Sequence, residues 1–176
     1  MIFLYNMNLK SKKGMTLVET LVAISVLMVA VSGALTLANK SLQTGRITKD
    51  RMVATYLAEE GVELVRNIRD ENFLVGANWI DGLNGVCTNN NGCKIDATDM
   101  VVSSCSSTCP PLKYDEATGI YAYNGAWPDS PFVRIIKVGT IPSAPDEILV
   151  TVNVNWTHGL ITNNFILKDI LFNWYQ

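Results

Sequence analysis

The residues with the most distinctive chemistry lie near the N-terminus, where Gly14 and Met15 precede a long apolar run. Residues 15–37 comprise 23 positions and contain one ionisable side chain, Glu19. A carboxylate near the middle of a bilayer costs roughly 2.5–3.5 kcal/mol on insertion scales, and intramembrane acids usually have a partner. No base follows within the run, so we expect the partner of Glu19 to come from another molecule.

The spacing suggests what that partner is. Cleavage between Gly14 and Met15 would give Met15 a free α-amino group and make Glu19 the fifth residue of the shortened chain. Such a cation on a neighbouring copy could neutralise Glu19 in a membrane or in a filament. The alternative is a plain membrane anchor that is never cleaved.

Lys-Lys-Gly, then Met-Thr-Leu-Val-Glu and an apolar helix, resembles the class III leader of type IV pilins and type II secretion pseudopilins. The resemblance implies that a prepilin peptidase cuts after Gly14, that the amine of Met15 is methylated, and that Glu19 aids subunit docking. The sequence has Met15 where Phe is commoner and Thr36 where many major pilins have a kinking proline. Both fit a minor subunit, and residues 57–66 resemble V-type minor pilins and I-type pseudopilins.

The same region predicts a long helix. Residues 1–14 are a leader, and residues 15–37 exceed the roughly 20 apolar residues that span a bilayer. No proline occurs between residues 15 and 71, so we expect one continuous helix whose part at 38–71 is amphipathic. Its apolar stripe follows helical spacing and consists of Ile47, Ala54, Leu57, Gly61, Leu64, Val65 and Ile68.

The C-terminal part, residues 72–176, reads as a β-rich domain outside the cytoplasm. Residues 72–111 are rich in Gly, Asn and Pro and are predicted to be loop-like. Period-two alternation then predicts strands, at Leu112–Asp115, Ile120–Tyr123, Phe132–Val138, Ile148–Trp156 and Asn164–Trp174, with a turn at Thr157, His158 and Gly159. The expected fold is α+β, a long N-terminal helix packed on an antiparallel sheet in a pilin-like roll.

Four cysteines, Cys87, Cys93, Cys105 and Cys109, lie within 23 residues. An even number in an exported domain favours disulfides. The spacing of Cys105 and Cys109 would also suit a zinc site, but that of Cys87 and Cys93 would not. Three pairings are possible, and we favour Cys87 with Cys93 and Cys105 with Cys109. We expect no metal and no other cofactor.

The charge of the domain argues against nucleic acid as a partner. The whole chain carries −2, and residues 72–176 hold five bases and nine acids, net −4. A general grip on nucleic acid needs clustered Lys and Arg. A competence-type pilin or an adhesin, binding DNA or a surface through a local patch, remains the rival interpretation.

No catalytic group stands out, and we expect a protein that is not an enzyme. His158 is the only histidine, lies in the predicted turn, and has no nucleophile with an orienting acid. Surface solvation is the favoured interpretation for seven acids that could bind calcium: Asp96, Asp99, Asp115, Glu116, Asp129, Asp146 and Glu147. Core packing is favoured for most of the four tryptophans, Trp79, Trp127, Trp156 and Trp174.

The resemblance thus implies a minor pilin or pseudopilin, a structural subunit of a type IV pilus or a type II secretion-like filament. Its partners would be the prepilin peptidase, other subunits, which it contacts through the N-terminal helix, and the assembly platform in the cytoplasmic membrane. The chain would cross that membrane once, with its C-terminal domain outside, before entering the filament.

Overall fold

The computed structural model describes residues 14–159 and 161–173. The chain divides into two compact units, Met1–Arg46 and Ile47–Gln176. The elements follow in the order α1 (Leu17–Leu74), β1 (Cys93–Ile95), β2 (Val102–Ser104), β3 (Lys113–Tyr114), β4 (Tyr121–Ala122), β5 (Phe132–Ile141), β6 (Ala144–His158) and β7 (Ile161–Phe172). The fold is α+β, as the sequence predicted.

The N-terminal unit contains the apolar part of α1. The helix is long and apolar enough to cross a membrane, judged by length and composition. Its few hydroxyl groups bond to the backbone within the helix: Ser32 Oγ donates to the Met28 carbonyl at 2.7 Å, and Thr36 Oγ1 donates to the Ser32 carbonyl at 2.8 Å. Because these hydroxyls are satisfied internally, they can lie in an apolar environment at little cost.

In the second unit α1 packs its apolar stripe on the sheet. The buried face comprises Ala54, Leu57, Ala58, Gly61, Val62, Leu64, Val65, Ile68 and Arg69. This confirms the predicted stripe except at Ile47, which is 47% exposed. The helix and β6 approach closely at Gly61, where an added Cβ would lie 2.8 Å from Val152 Cγ1.

The main sheet has five strands in the order β2-β1-β5-β6-β7, and all neighbours are antiparallel. The even-numbered positions of β6 from 148 to 156 are buried under α1, and the odd-numbered ones lie on the opposite face, which we call the outer face. The alternation of residue types that predicted this strand therefore reflects one face covered by the helix and one face partly open to solvent.

A small hairpin forms the second sheet, in which β3 pairs with β4. These strands confirm the two short candidates beside the turn at residues 116–119. The rings of Tyr114 and Tyr121 lie 4.6 Å apart, and Tyr121 meets Phe132 edge to face at 5.9 Å. The hairpin is thereby fastened to the start of β5 through aromatic contacts.

Three sequence predictions about element boundaries need correction. The predicted turn begins too early, because β6 continues through His158 and the chain reverses at Gly159, whose φ is +62°. β7 begins at Ile161, earlier than predicted, and pairs with β6 along its length. The supposed loop 72–111 contains β1 and β2. The predicted leader up to Lys13, and Trp174, lie outside the described residues.

Candidate functional site

The start of α1 is built from residues 14–19. Gly14, Met15 and Thr16 precede the helix. Thr16 Oγ1 accepts a hydrogen bond from the backbone N–H of Glu19 at 3.3 Å, and the Thr16 carbonyl accepts one from the N–H of Thr20 at 3.1 Å. Thr16 is therefore the N-cap, which satisfies a backbone donor that has no partner inside the helix. Thr-x-x-Glu is the capping-box pattern, so the sequence carried a local signal for this cap that the prediction of the helix did not use.

Glu19 lies on the first turn of this capped helix and is exposed. The partial positive charge at a helix N-terminus favours a carboxylate there. The surrounding surface is apolar, since Met15, Leu17 and Val18 are 68%, 76% and 68% exposed. Within residues 14–159 and 161–173, no hydrogen bond or ion pair is made by the Glu19 carboxylate. Gly14, Met15 and Glu19 thus lie together on an accessible N-terminal segment, with the acid free to meet a cation.

The four cysteines form two disulfides, Cys87–Cys93 and Cys105–Cys109. All four sulfur atoms are therefore occupied, and none is available as a thiolate ligand for zinc. The two small loops that these bonds close are joined to each other. The N–H of Cys105 donates to the Gly92 carbonyl at 3.0 Å, and Asn91 Nδ2 donates to the Ser106 carbonyl at 2.6 Å.

One acid departs from the predicted surface role. Asp96 is 3% exposed, so the expectation of a solvated side chain was wrong. Its Oδ2 accepts from the N–H groups of Tyr123 and Asn124 at 2.7 and 2.8 Å, and its Oδ1 accepts from the N–H and hydroxyl of Thr98 at 2.8 and 2.6 Å. Burial acts to raise the pKa of Asp96, but these hydrogen bonds outweigh it and lower the pKa below its ordinary value. Asp96 joins two loops rather than binding a ligand.

A buried cation ties the helix to the sheet. Arg134 on β5 is fully buried and pairs with Glu60 of α1. Its guanidinium also donates to the Leu57 carbonyl at 3.3 Å and to the Ile95 carbonyl at 3.0 Å. The hydroxyl of Tyr123 donates to the Arg134 carbonyl at 3.0 Å, and burial raises the pKa of Tyr123. No pattern in the sequence marks this group, because its members are far apart in the chain.

The remaining candidates have structural positions. Trp156 is 5% exposed in the core, and Trp79 packs against the core, as predicted for most of the tryptophans. Trp127 is partly buried beside Gly125. The backbone of His158 ends β6. Across the part of the chain that the structure describes, no cluster of three or more His, Cys, Asp or Glu side chains could hold a metal ion.

Comparison with known proteins identifies the N-terminal segment. Residues 9–35 match the family model of the prokaryotic N-terminal methylation motif. No curated protein matches the chain, and no solved structure does. The matched residues contain Gly14, Met15 and Glu19, so the chain carries the signature of type IV pilins and prepilins. The apolar helix that follows fits a membrane-anchored pilin.

Proposed function

We propose that this protein is a minor pilin or pseudopilin, a structural subunit that is processed by a prepilin peptidase and assembled into a pilus or a secretion-type filament. Residues 1–14 are the leader, and cleavage after Gly14 exposes the amine of Met15 for methylation. The observation that carries this proposal is the match of the methylation motif at residues 9–35, within which the proposed cut falls just before the capped start of α1.

Residues 15–37 occupy two environments in turn in this proposed assembly. They cross the cytoplasmic membrane once before assembly, and they pack against the same segment of other subunits afterwards. The side chains of this segment are exposed at every position except the half-buried Thr20, as both environments require. The domain at 72–176 then lies outside the cytoplasm, which agrees with its two disulfides.

Glu19 is the group that we assign to docking. Its carboxylate has no partner in the described chain, and in lipid or among packed helices it would be desolvated without compensation. The methylated amine of Met15 on the neighbouring subunit supplies the missing cation. Because the pair forms only between subunits, its energy is released only on correct docking.

A minor rather than a major role is supported at Thr36. Its hydroxyl donates to the Ser32 carbonyl, and α1 continues through this position without interruption. A proline there would remove a backbone hydrogen bond and kink the helix. The helix of this subunit therefore has a different local shape from that of major pilins with a proline at this position.

The first test is the N-terminal sequence and mass of the membrane-extracted protein, from cells with and without an active prepilin peptidase. We expect a peptidase-dependent start at Met15 carrying one added methyl group. An intact leader in both cells would refute the filament role and favour the uncleaved membrane anchor. The variant Gly14→Glu should block cleavage while membrane insertion continues, since residues 15–37 are unchanged.

The second test separates processing from docking. Glu19→Gln keeps the size and hydrogen-bonding ability of the side chain but removes its charge, so we expect normal cleavage with loss of incorporation into filaments. Glu59→Gln is the matched control, because Glu59 is an exposed acid on the same helix outside the apolar segment. Equal incorporation of the two variants, measured in sheared filament fractions, would remove the docking role of Glu19.

A further inference from the structure

The outer face of the sheet carries a cleft that the filament role does not use. It measures about 300 Å³ and is lined by Asn90, Asn91, Ser107, Ile135, Lys137, Thr151, Asn153 and Ile166. Its floor is the outer face of three strands, where Ile135, Asn153 and Ile166 lie in one row across β5, β6 and β7. In the next row Lys137 lies opposite Thr151.

The walls of the cleft are the two disulfide loops, and they are held rigidly. The loop closed by Cys87–Cys93 supplies Asn90 and Asn91, and the loop closed by Cys105–Cys109 supplies Ser107. The first loop lies directly on β5: an added Cβ at Gly92 would lie 2.7 Å from the Ile136 carbonyl oxygen. A cleft with walls fixed in this way is preformed, which lowers the entropy cost of binding.

The ammonium group of Lys137 helps to hold the wall in place. Its Nζ donates to the carbonyl oxygen of Asn90 at 2.6 Å. The lysine is therefore engaged by the protein itself, and no carboxylate is among the described residues that line the cleft. Apart from the two remaining N–H groups of Lys137, the polar groups left to recognise a ligand are neutral.

Those neutral groups share one property: each can both donate and accept hydrogen bonds. The cleft holds three side-chain amides, from Asn90, Asn91 and Asn153, and the hydroxyls of Ser107 and Thr151. One N–H of Asn91 is already used, in the bond to the Ser106 carbonyl. Asn153 also has a buried Oδ1 without a hydrogen-bond partner in the described chain. An acceptor left without a partner is unfavourable in a folded protein. Ile135 and Ile166 add an apolar surface beside these polar groups.

From this combination we propose that the cleft binds a neutral, hydroxyl-rich saccharide unit. Sugar hydroxyls donate and accept like the amides around them, and the C–H face of a sugar ring suits the two isoleucines. The proposal goes beyond the filament role and does not depend on cleavage at Gly14. A filament subunit with this site would present a glycan-binding cleft on its outer domain.

The test uses the full chain in phospholipid nanodiscs free of glycolipid and of sugar-headed detergent. Saturation-transfer NMR is recorded with glucose, galactose, mannose and N-acetylglucosamine. We expect weak binding of at least one of them, unchanged by added salt, because no charge pair is involved. Binding that is lost at high salt would assign recognition to Lys137 and overturn the neutral-sugar proposal, as would the absence of binding to all four sugars.

Three variants locate the site. Asn153→Leu removes the amide at similar volume, and also removes the unpartnered acceptor, so the domain should fold at least as well. Losing two hydrogen bonds should weaken binding about tenfold or more, and Thr151→Val should weaken it less. Asn155→Leu is the control, since Asn155 lies two residues along the same face of β6 and outside the cleft.

Two results for Asn153→Leu would overturn the proposal. One is undiminished sugar binding by this variant. The other is that this variant fails to assemble into filaments while the parent protein binds no sugar. That result would assign the cleft to a contact between subunits.

Discussion

Gly61 of α1 lies against Val152 of the sheet, and Gly61→Ala tests how tightly the two are packed. The new Cβ would lie 2.8 Å and 3.2 Å from the two Cγ atoms of Val152 and 3.3 Å from Arg134 Cδ. Val152 is β-branched and fully buried, so it has little freedom to rotate away. Overpacking of this kind costs about 1–3 kcal/mol.

A second effect opposes that cost. Alanine is favoured over glycine inside a helix by about 0.8–1.0 kcal/mol. The sum predicts that Gly61→Ala lowers the free energy of unfolding by roughly 0–2 kcal/mol, centred near 1 kcal/mol. The measurement is chemical denaturation of the full chain in detergent micelles, followed through the fluorescence of the tryptophans, of which Trp156 is buried.

The decisive experiment is the double-mutant cycle with Val152→Ala. This substitution removes the two methyl groups that the new Cβ would meet, so the double variant should be more stable than the sum of the single changes by about 1–2 kcal/mol. Gly45→Ala is the control, since nothing lies within 4 Å of its added Cβ. It should stabilise the helix. Additive effects of Gly61→Ala and Val152→Ala, within about 0.5 kcal/mol, would refute the packing argument.

Two further predictions concern the buried charges. Asp96 has a lower pKa folded than unfolded, so its stabilisation is present above the ordinary pKa of about 3.9 and is lost as the pH falls through the lower folded value. Asp96→Asn should therefore lower stability at neutral pH and flatten the dependence of stability on pH below about pH 4. Glu116→Gln, at an exposed site, should do neither. Thermal unfolding measured as a function of pH tests both expectations. Glu60→Gln leaves Arg134 buried without its counterion, and because Glu60 is partly exposed we expect a loss of about 1–3 kcal/mol. Adding Arg134→Met should recover part of that loss, and a double variant less stable than the sum of both changes would contradict this account.

The elements that the sequence predicted are those whose signal is local. The alternation along Ile148–Trp156 reflects burial on one face only, and every even position from 148 to 156 is buried. The apolar stripe of α1 from Ala54 to Ile68 is an equally local signal, because the side of the helix that meets the sheet carries apolar residues at helical spacing. Ile47 fits the same spacing but is 47% exposed, so periodicity alone could not place the end of the packed face.

The groups that escaped prediction depend on contacts between distant residues. Asp96 binds Tyr123 and Asn124, 27 and 28 positions away, and Arg134 binds Glu60, 74 positions away. Nothing near Asp96 in the sequence distinguishes it from the solvated acids around it. The cleft is of the same kind, since its lining comes from two loops and three strands. The N-cap at Thr16 differs, because its Thr-x-x-Glu pattern is local and would have been enough to predict it.

The first part of α1 exposes an apolar surface that a single copy of this chain in water leaves uncovered. Thirteen large apolar side chains between Met15 and Leu37 are at least half exposed. Burying such side chains is worth about 1.5–3 kcal/mol each, so the exposed segment represents on the order of 20 kcal/mol, more than the whole stability of a typical domain. Against this, the roughly 2.5–3.5 kcal/mol that one carboxylate costs in a membrane is small. Lipid insertion alone therefore tolerates Glu19 but gives no reason for it, whereas the proposed pairing between subunits would give one.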